Sequence, residues 1–150
     1  PYTGVLAIFA ARLLNDRAPL LFEDGEQQRD FVSVVDVARA CRLALEVPGA
    51  VGEVFNVGSG RRYTIREVAE RMAHALGKGY IAPEVTGKYR VGDIRHCVAD
   101  IAKARRLLGY EPAVPLEDGV VELAEWVEGQ TAADRVAEAS AELAARGLTV

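Results

Sequence analysis

Two arginines in this sequence, Arg29 and Arg90, are of a residue type well suited to binding an anion. A guanidinium presents parallel N–H donors that match two phosphate oxygens, and a second guanidinium from the opposite wall would suit the several charges of a pyrophosphate. Asp93 follows closely after Arg90. An ionised carboxylate only accepts hydrogen bonds, which suits the paired hydroxyls of a ribose. Together these residue types are compatible with a site for a ligand that carries phosphate and hydroxyl groups.

Each of these residues also has a plainer interpretation. Arg29 would otherwise form a surface salt bridge with a nearby aspartate, Asp30 or Asp36. Residues 88–95 carry several charges, so Arg90 and Asp93 would otherwise lie in an irregular loop that faces solvent. Residue types alone leave both interpretations open.

The elements that would position these residues alternate between helices and strands. Apolar residues at helical spacing, and a capping box of Thr64 with Glu67, indicate helices. Runs of β-branched and aromatic residues indicate strands. The predicted helices cover residues 3–16, 36–47, 64–76, 100–109 and 116–127, and the predicted strands cover residues 20–22, 31–35, 54–57 and 80–85. This alternation predicts an α/β fold.

Local features add detail to that prediction. Arg29 is placed at the shoulder of the strand at residues 31–35, and Asp36 is predicted to cap the second helix by accepting hydrogen bonds from its first amides. The apolar run at residues 54–57 is typical of a parallel strand that is covered on both faces. Residues 131–146 are rich in Ala and Glu and are predicted to form a solvated helix.

The totals argue against several classes of protein. A chain of 150 residues is typical of one domain, and a net charge of −4 gives no broad basic surface for nucleic acid. No apolar run approaches the ~18–20 residues of a membrane helix, and no secretory signal opens the chain. Two cysteines make no disulfide framework, which favours a reducing cytoplasm, and Cys41 is predicted to be a small buried hydrophobe. His96 and Cys97 are adjacent, which is not metal-ligand spacing, so no metal site is predicted.

Three stretches of the chain resemble the extended short-chain dehydrogenase/reductase family, the nucleotide-sugar epimerases and dehydratases. The resemblance covers about residues 1–128. The stretches are Asp24-Gly25-x-Gln27-x-Arg29-Asp30-Phe31-x-x-Val34-x-Asp36-Val37-Ala38, then Phe55-Asn56-Val57-Gly58-Ser59-Gly60, then Gly92-Asp93 followed by Ala99-Asp100-Ile101-x-Lys103-Ala104.

The resemblance implies the C-terminal part of a Rossmann-type enzyme, whose first half would lie upstream of Pro1. Residues 1–36 and about 58–113 would form a substrate-binding lobe. Residues 37–57 and 114–128 would return to complete the cofactor sheet, and residues 129–150 would be a helical tail outside the resemblance. Without the upstream half, the apolar faces of the second helix and of residues 54–57 would stay uncovered. The segment alone is therefore expected to be poorly stable or to aggregate.

The resemblance also implies roles for individual residues. Arg29 and Arg90 would bind the diphosphate, and Asp93 would hold the nucleotide ribose. Tyr2 would lie near the sugar, and Cys97 would help to shape the sugar pocket.

Four further positions correspond to residues around the nucleobase in that family. Leu20, Phe22 and Ile65 would flank the base, unless they are plain core residues. Gln27 would hydrogen-bond the base or the sugar, unless it simply lies on the surface.

The activity implied is that of an NAD-dependent epimerase acting on a UDP- or dTDP-hexose, with a homodimer as the full-length form. A dehydratase or reductase of the same family, or a non-catalytic binding protein on the same scaffold, is the alternative. The family's Tyr-x-x-x-Lys pair and Gly-rich dinucleotide fingerprint are not found in this sequence. Catalytic residues and most NAD contacts are therefore expected upstream, and none is assigned here.

Overall fold

A computed structural model describes residues 4–149 of the chain. These residues form two compact units. Among the described residues, unit 1 comprises residues 4–27, 64–95 and 120–149, and unit 2 comprises Gln28–Tyr63 and His96–Gly119. The helices are α1 (Val5–Leu14), α2 (Val34–Glu46), α3 (Ile65–Ala75), α4 (Ala102–Leu108), α5 (Leu116–Glu128) and α6 (Val136–Ala145), with a 3-10 turn at Pro48–Ala50. The strands are β1 (Leu20–Leu21), β2 (Gln28–Arg29), β3 (Tyr63–Thr64), β4 (Glu84–Val85) and β5 (His96–Cys97).

The core of unit 1 lies between α1 and α3, which pack against each other. Both helices bury one apolar stripe, because their apolar residues recur at helical spacing. The buried members of the stripes are Phe9, Ala10 and Leu13 in α1, and Val68, Ala69, Met72 and Ala73 in α3. Beside them, β1 pairs in parallel with β4, with Leu20 opposite Glu84 and Leu21 opposite Val85.

Unit 2 is built around α2, α4 and the short 3-10 turn between α2 and β3. Its buried cluster comprises Ala40, Ala50, Ile101, Ala104, Leu108 and Tyr110. The three-stranded sheet has the order β3-β2-β5, and β2 pairs in parallel with β5. This pairing places Gln28 opposite His96 and Arg29 opposite Cys97.

The locally encoded elements match the predictions. α3 begins at the predicted capping box, in which the Thr64 hydroxyl accepts a hydrogen bond from the Glu67 amide at 3.0 Å and Glu67 Oε2 accepts one from the Thr64 amide at 2.7 Å. α1, α5 and the exposed α6 also lie within a few residues of their predicted bounds. The α4 helix ends at Leu108, and the capping residue that follows, Gly109, takes the left-handed conformation with φ 65°.

The predictions around Asp36 are wrong. The α2 helix begins at Val34, and its cap is Ser33, whose hydroxyl accepts a hydrogen bond from the Val35 amide at 3.2 Å. Residues 31–35 therefore contain no strand; the strand that carries Arg29 is the two residues of β2. Asp36 lies inside the first turn of α2, and its carboxylate accepts hydrogen bonds from amides elsewhere in unit 2 instead.

Two other predictions in unit 2 also fail. Residues 54–57 form no strand, because nothing within residues 4–149 pairs with them, and Val54 is 81% exposed. Cys41 is exposed rather than buried, since it lies on a face of α2 that no described residue covers. The prediction for Tyr2 falls outside the described residues.

Candidate functional site

The turn at residues 22–27 carries two of the predicted ligand contacts, Phe22 and Gln27. The Gly25 amide donates to the Phe22 carbonyl at 3.1 Å, and the Asp24 carboxylate accepts a hydrogen bond from the Glu26 amide at 2.9 Å. Gly25 has a φ of 81°, and a Cβ there would lie 2.7 Å from Cδ1 of Leu21. The turn therefore needs glycine both for its backbone conformation and for its close packing on β1.

The start of α3 holds the other side of this turn. The Ile65 amide donates to the Gln27 carbonyl at 3.0 Å, and the Arg66 amide donates to the Gly25 carbonyl at the same distance. The Arg66 guanidinium adds a bond of 2.8 Å to the Asp24 carbonyl. Ile65, a predicted neighbour of the base, is thereby fixed beside Gln27.

Gln27 is buried, with 6% of its surface exposed, so its surface alternative is excluded. Its side-chain amide nitrogen donates to the Phe22 carbonyl at 2.9 Å and closes the turn. Its Oε1 atom is buried and has no hydrogen-bond partner among the described residues. Buried polar atoms normally have a partner, so Oε1 is an acceptor available to a ligand donor or a bound water. The prediction that Gln27 contacts a base or sugar stays a prediction.

The loop at residues 88–95 carries the predicted phosphate and ribose contacts, Arg90 and Asp93, and it is exposed throughout. Its first residue is joined to the turn by the Glu23 amide, which donates to the Lys88 carbonyl at 2.7 Å. The Asp93 amide donates to the Arg90 carbonyl at 3.2 Å, which brings these two residues together in one turn.

Arg95 links the same loop to the turn at residues 22–27. One end of its guanidinium, Nη2, lies 2.6 Å from Oδ2 of Asp24, and the other end, Nη1, pairs with Oε2 of Glu23. The hydrogen bond from Arg95, with a second from the Glu26 amide, lowers the pKa of Asp24 to about 2. This contact is not predictable from the sequence, because Arg95 is one charged residue among several in an irregular loop.

Unit 1 therefore brings together most of the predicted contacts: Leu20, Phe22, Gln27, Ile65, Arg90 and Asp93. Leu20 and Phe22 are half-buried, Leu20 in β1 and Phe22 directly after it. Arg29 lies in unit 2, where it is half-buried on β2 and its Nη1 donates to the Gln28 carbonyl at 2.9 Å. The convergence of Arg29 and Arg90 on one ligand stays a prediction.

Asp30, the residue after Arg29, organises unit 2 in a way that the sequence did not indicate. Its Oδ1 accepts hydrogen bonds from the amide and the hydroxyl of Ser59 at 2.7 and 2.6 Å, and its Oδ2 accepts one from the Gly60 amide at 3.0 Å. Hydrogen bonds to a charged acceptor are among the stronger ones in proteins. Asp30 thus holds the glycine-rich turn at residues 58–60 next to β2.

A second carboxylate, Asp36, ties α2 to the segment that leads into α5. It accepts hydrogen bonds at 3.0 Å from the amides of Ala113 and Val114, and one of 2.8 Å from Arg39. Burial opposes a low pKa for Asp36, but the hydrogen bonds from Arg39 and these two amides outweigh it, so the pKa is lowered. Asp36 is therefore a structural residue of unit 2.

Neither a metal site nor a membrane helix is found within residues 4–149. No three His, Cys, Asp or Glu side chains in this range lie close enough together to hold a metal ion. None of the helices here combines the length and the apolar character that crossing a bilayer requires.

Comparison with known proteins gives consistent results. Residues 2–58 match the model of the NAD dependent epimerase/dehydratase family. A dTDP-L-rhamnose 4-epimerase from Burkholderia thailandensis is 36% identical over 126 residues, which are 84% of this chain and 34% of that protein. A dTDP-glucose 4,6-dehydratase from Streptomyces niveus is 30% identical over 122 residues, 81% of this chain and 36% of that protein.

The fold of this chain also matches part of the fold of solved epimerase structures. The crystal structure of UDP-glucose 4-epimerase with UDP-glucose from Thermotoga maritima matches with a TM-score of 0.76 at 38% identity, over 85% of this chain and 40% of that one. This likeness confirms the predicted α/β fold as part of a Rossmann-type architecture. The chain spans only 34–40% of the length of these proteins.

Proposed function

Because this chain belongs to the NAD-dependent epimerase/dehydratase family, whose model matches residues 2–58, we propose that it is the nucleotide-sugar-binding part of a sugar 4-epimerase. Its ligand would be a UDP- or dTDP-hexose. The observation that carries the proposal lies within unit 1: the Arg95 side chain joins the loop at residues 88–95 to the turn at residues 22–27 by its hydrogen bond to Asp24. These are the two segments expected to bind the nucleobase and the phosphate with its ribose.

Each segment offers groups that suit its part of the ligand. Beside the base, Phe22 supplies an aromatic ring and Gln27 an acceptor without a protein partner in the described range. In the loop, Arg90 supplies a charged donor for phosphate and Asp93 an acceptor for the ribose hydroxyls. Arg29 would complete the diphosphate site from β2. Binding energy from this remote part of the ligand would orient the hexose for reaction.

NAD would be bound mainly by residues outside this chain. The glycine-rich turn at residues 58–60 is held by Asp30 and by packing in unit 2, and a Cβ at Gly58 would meet Asp30 and Ala99 rather than open space. That turn does not fit a pyrophosphate cradle. No step of hydride or proton transfer is therefore assigned to residues of this chain.

The exposed apolar face of unit 2 supports the proposed division into domains. Leu45 on α2 is 89% exposed, and Val51 and Val54 are similarly exposed. Residues 37–57 and 114–128 would return to a cofactor domain that covers them, whereas residues 129–150 would form a helical tail rich in Ala and Glu. The 150-residue chain alone would then aggregate or unfold gradually. A sharp two-state thermal transition of that isolated chain would contradict this division.

A homodimer and a cytoplasmic location remain expectations from the family.

Calorimetric titration of the gene product that carries this chain tests the proposed ligand. UDP or dTDP should bind, and ADP should bind more weakly because the site for the base is selective. If neither UDP nor dTDP at millimolar concentration produces heat of binding, the proposal is overturned. Product analysis with UDP- and dTDP-hexoses would then distinguish a 4-epimerase from a dehydratase or reductase.

A further inference from the structure

We propose that Arg95 is a positioning residue for the nucleotide-sugar site: by binding Glu23 and Asp24 together, it sets the loop that carries Arg90 and Asp93 against the turn that carries Phe22 and Gln27. This inference rests on the proposed function. It concerns a residue that touches the protein rather than the ligand.

The two terminal nitrogens of the Arg95 guanidinium each pair with a different carboxylate. Nη1 of Arg95 pairs with Glu23 and Nη2 lies 2.6 Å from Oδ2 of Asp24. The two acidic residues are adjacent in sequence, so one guanidinium binds the side chains of two successive residues of the turn. Lysine, with a single ammonium, would not reproduce this planar two-point contact.

Arg66 on α3 holds the turn from its other side, so the turn has contacts that do not depend on Arg95. Arg66 on α3 donates to the Asp24 carbonyl at 2.8 Å and pairs with Glu26 at 3.2 Å. The loop, in contrast, is exposed and consists mainly of charged or small residues. Two main-chain contacts also hold the loop: the Lys88 carbonyl accepts a hydrogen bond from the Glu23 amide at 2.7 Å, and the Val91 amide donates to the Leu148 carbonyl at 2.9 Å. Arg95 connects the C-terminal end of the loop to the turn through its side chain.

An exposed ion pair contributes little to the stability of a fold. Arg95 and Asp24 are both substantially exposed, so loss of this contact should leave the melting temperature nearly unchanged. Its effect should appear in ligand binding, because a loop that must be ordered on binding lowers the affinity by the cost of that ordering.

The test uses UDP binding to the gene product, measured by calorimetry, with variants that separate a positioning role from direct contact. Arg95→Gln removes the guanidinium. Glu23→Gln with Asp24→Asn keeps Arg95 charged but removes both anions, and the Asn oxygen can still accept the hydrogen bond from the Glu26 amide. Arg146→Gln is the matched control, because Arg146 also pairs with a carboxylate, Glu142, on an exposed helix.

Arg95→Gln and the Glu23→Gln/Asp24→Asn double variant should both weaken UDP binding, each by roughly tenfold. Arg95→Lys should restore only part of the affinity, and Arg146→Gln should match the unaltered protein. In turnover assays KM for the nucleotide-sugar should rise more than kcat falls. If only Arg95→Gln weakens binding, Arg95 contacts the ligand directly and the positioning role is wrong.

The failure of this inference can be told apart from failure of the proposed function. If the unaltered protein binds UDP and Arg90→Gln weakens that binding by about 10- to 100-fold, the site is as proposed. Arg95→Gln behaving like Arg146→Gln would then overturn the positioning role alone. If the unaltered protein binds neither UDP nor dTDP, the proposed function is wrong, and this inference, which rests on it, is wrong as well.

Discussion

Arg29 on β2 and Cys97 on β5 are register partners in a parallel strand pair. The sequence placed Arg29 at a strand, but it gave no strand at residues 96–97. Because directly paired residues on neighbouring strands lie side by side, a ligand bound by Arg29 would also approach Cys97. The exposed thiol therefore reports on this part of the proposed site.

Nucleotide binding should protect Cys97 from alkylation. The chain has two cysteines, Cys41 and Cys97, and both are exposed, so Cys41 on α2 is an internal control. In the gene product that carries this chain, with saturating UDP, we expect N-ethylmaleimide to label Cys97 several-fold more slowly than without UDP, while Cys41 labelling is unchanged. Peptide mapping by mass spectrometry gives both rates. Equal rates at Cys97 with and without bound UDP would place the ligand away from β5.

Gly58 should tolerate no side chain. A Cβ at this buried residue would lie 2.5 Å from Oδ2 of Asp30 and 2.6 Å from the Cβ of Ala99. Gly58→Ala should therefore reduce the free energy of unfolding by about 1–3 kcal/mol, as overpacking does. Gly49→Ala is the control, since nothing lies within 4 Å of a Cβ there. Urea unfolding of the gene product would measure both; equal stability of the two variants would contradict the packing described around Asp30.

Because of Asp36, the stability of unit 2 should decrease at acidic pH. Its pKa is lowered in the folded chain, so it contributes stability that is fully present above the unfolded value of about 3.9 and is lost as the pH falls through the folded value. Asp36→Asn should lower the free energy of unfolding at pH 7 by on the order of 2 kcal/mol, because amides of residues 113 and 114 lose a charged acceptor.

The difference between Asp36→Asn and the unaltered protein should shrink when unfolding is measured at pH 3. Asp118→Asn, at an exposed position of α5, is the control. If Asp36→Asn and the unaltered protein differ in stability by the same amount at pH 3 and pH 7, the charge on Asp36 is not what holds the amides of Ala113 and Val114.

What the sequence could predict was set by how far apart the interacting residues lie in the chain. The Thr64–Glu67 capping box is complete within one turn, and it was predicted correctly. Asp36 looked like a cap because its real partners, Ala113 and Val114, are 77 and 78 residues away. The pairing of Arg95 with Asp24, 71 residues apart, was invisible for the same reason.

The failed strand at residues 54–57 shows a different limit. The run of Val54, Phe55 and Val57 has strand propensity, but a strand also needs a neighbour to accept its hydrogen bonds, and the described residues supply none. The individual site residues were named through the family resemblance, since an arginine or a glutamine in isolation is compatible with many surfaces. Their roles stay predictions.

The central claim is that Arg29 and Arg90 bind one diphosphate, and the affinity of the gene product for UDP tests it most directly. Arg29→Gln and Arg90→Gln should each weaken binding by about 10- to 100-fold, which corresponds to the ~1.5–3 kcal/mol of a charged hydrogen bond. The double variant should lose less than the sum of both, because the two groups share a ligand. The account is contradicted if either single variant binds UDP as tightly as the Arg146→Gln control.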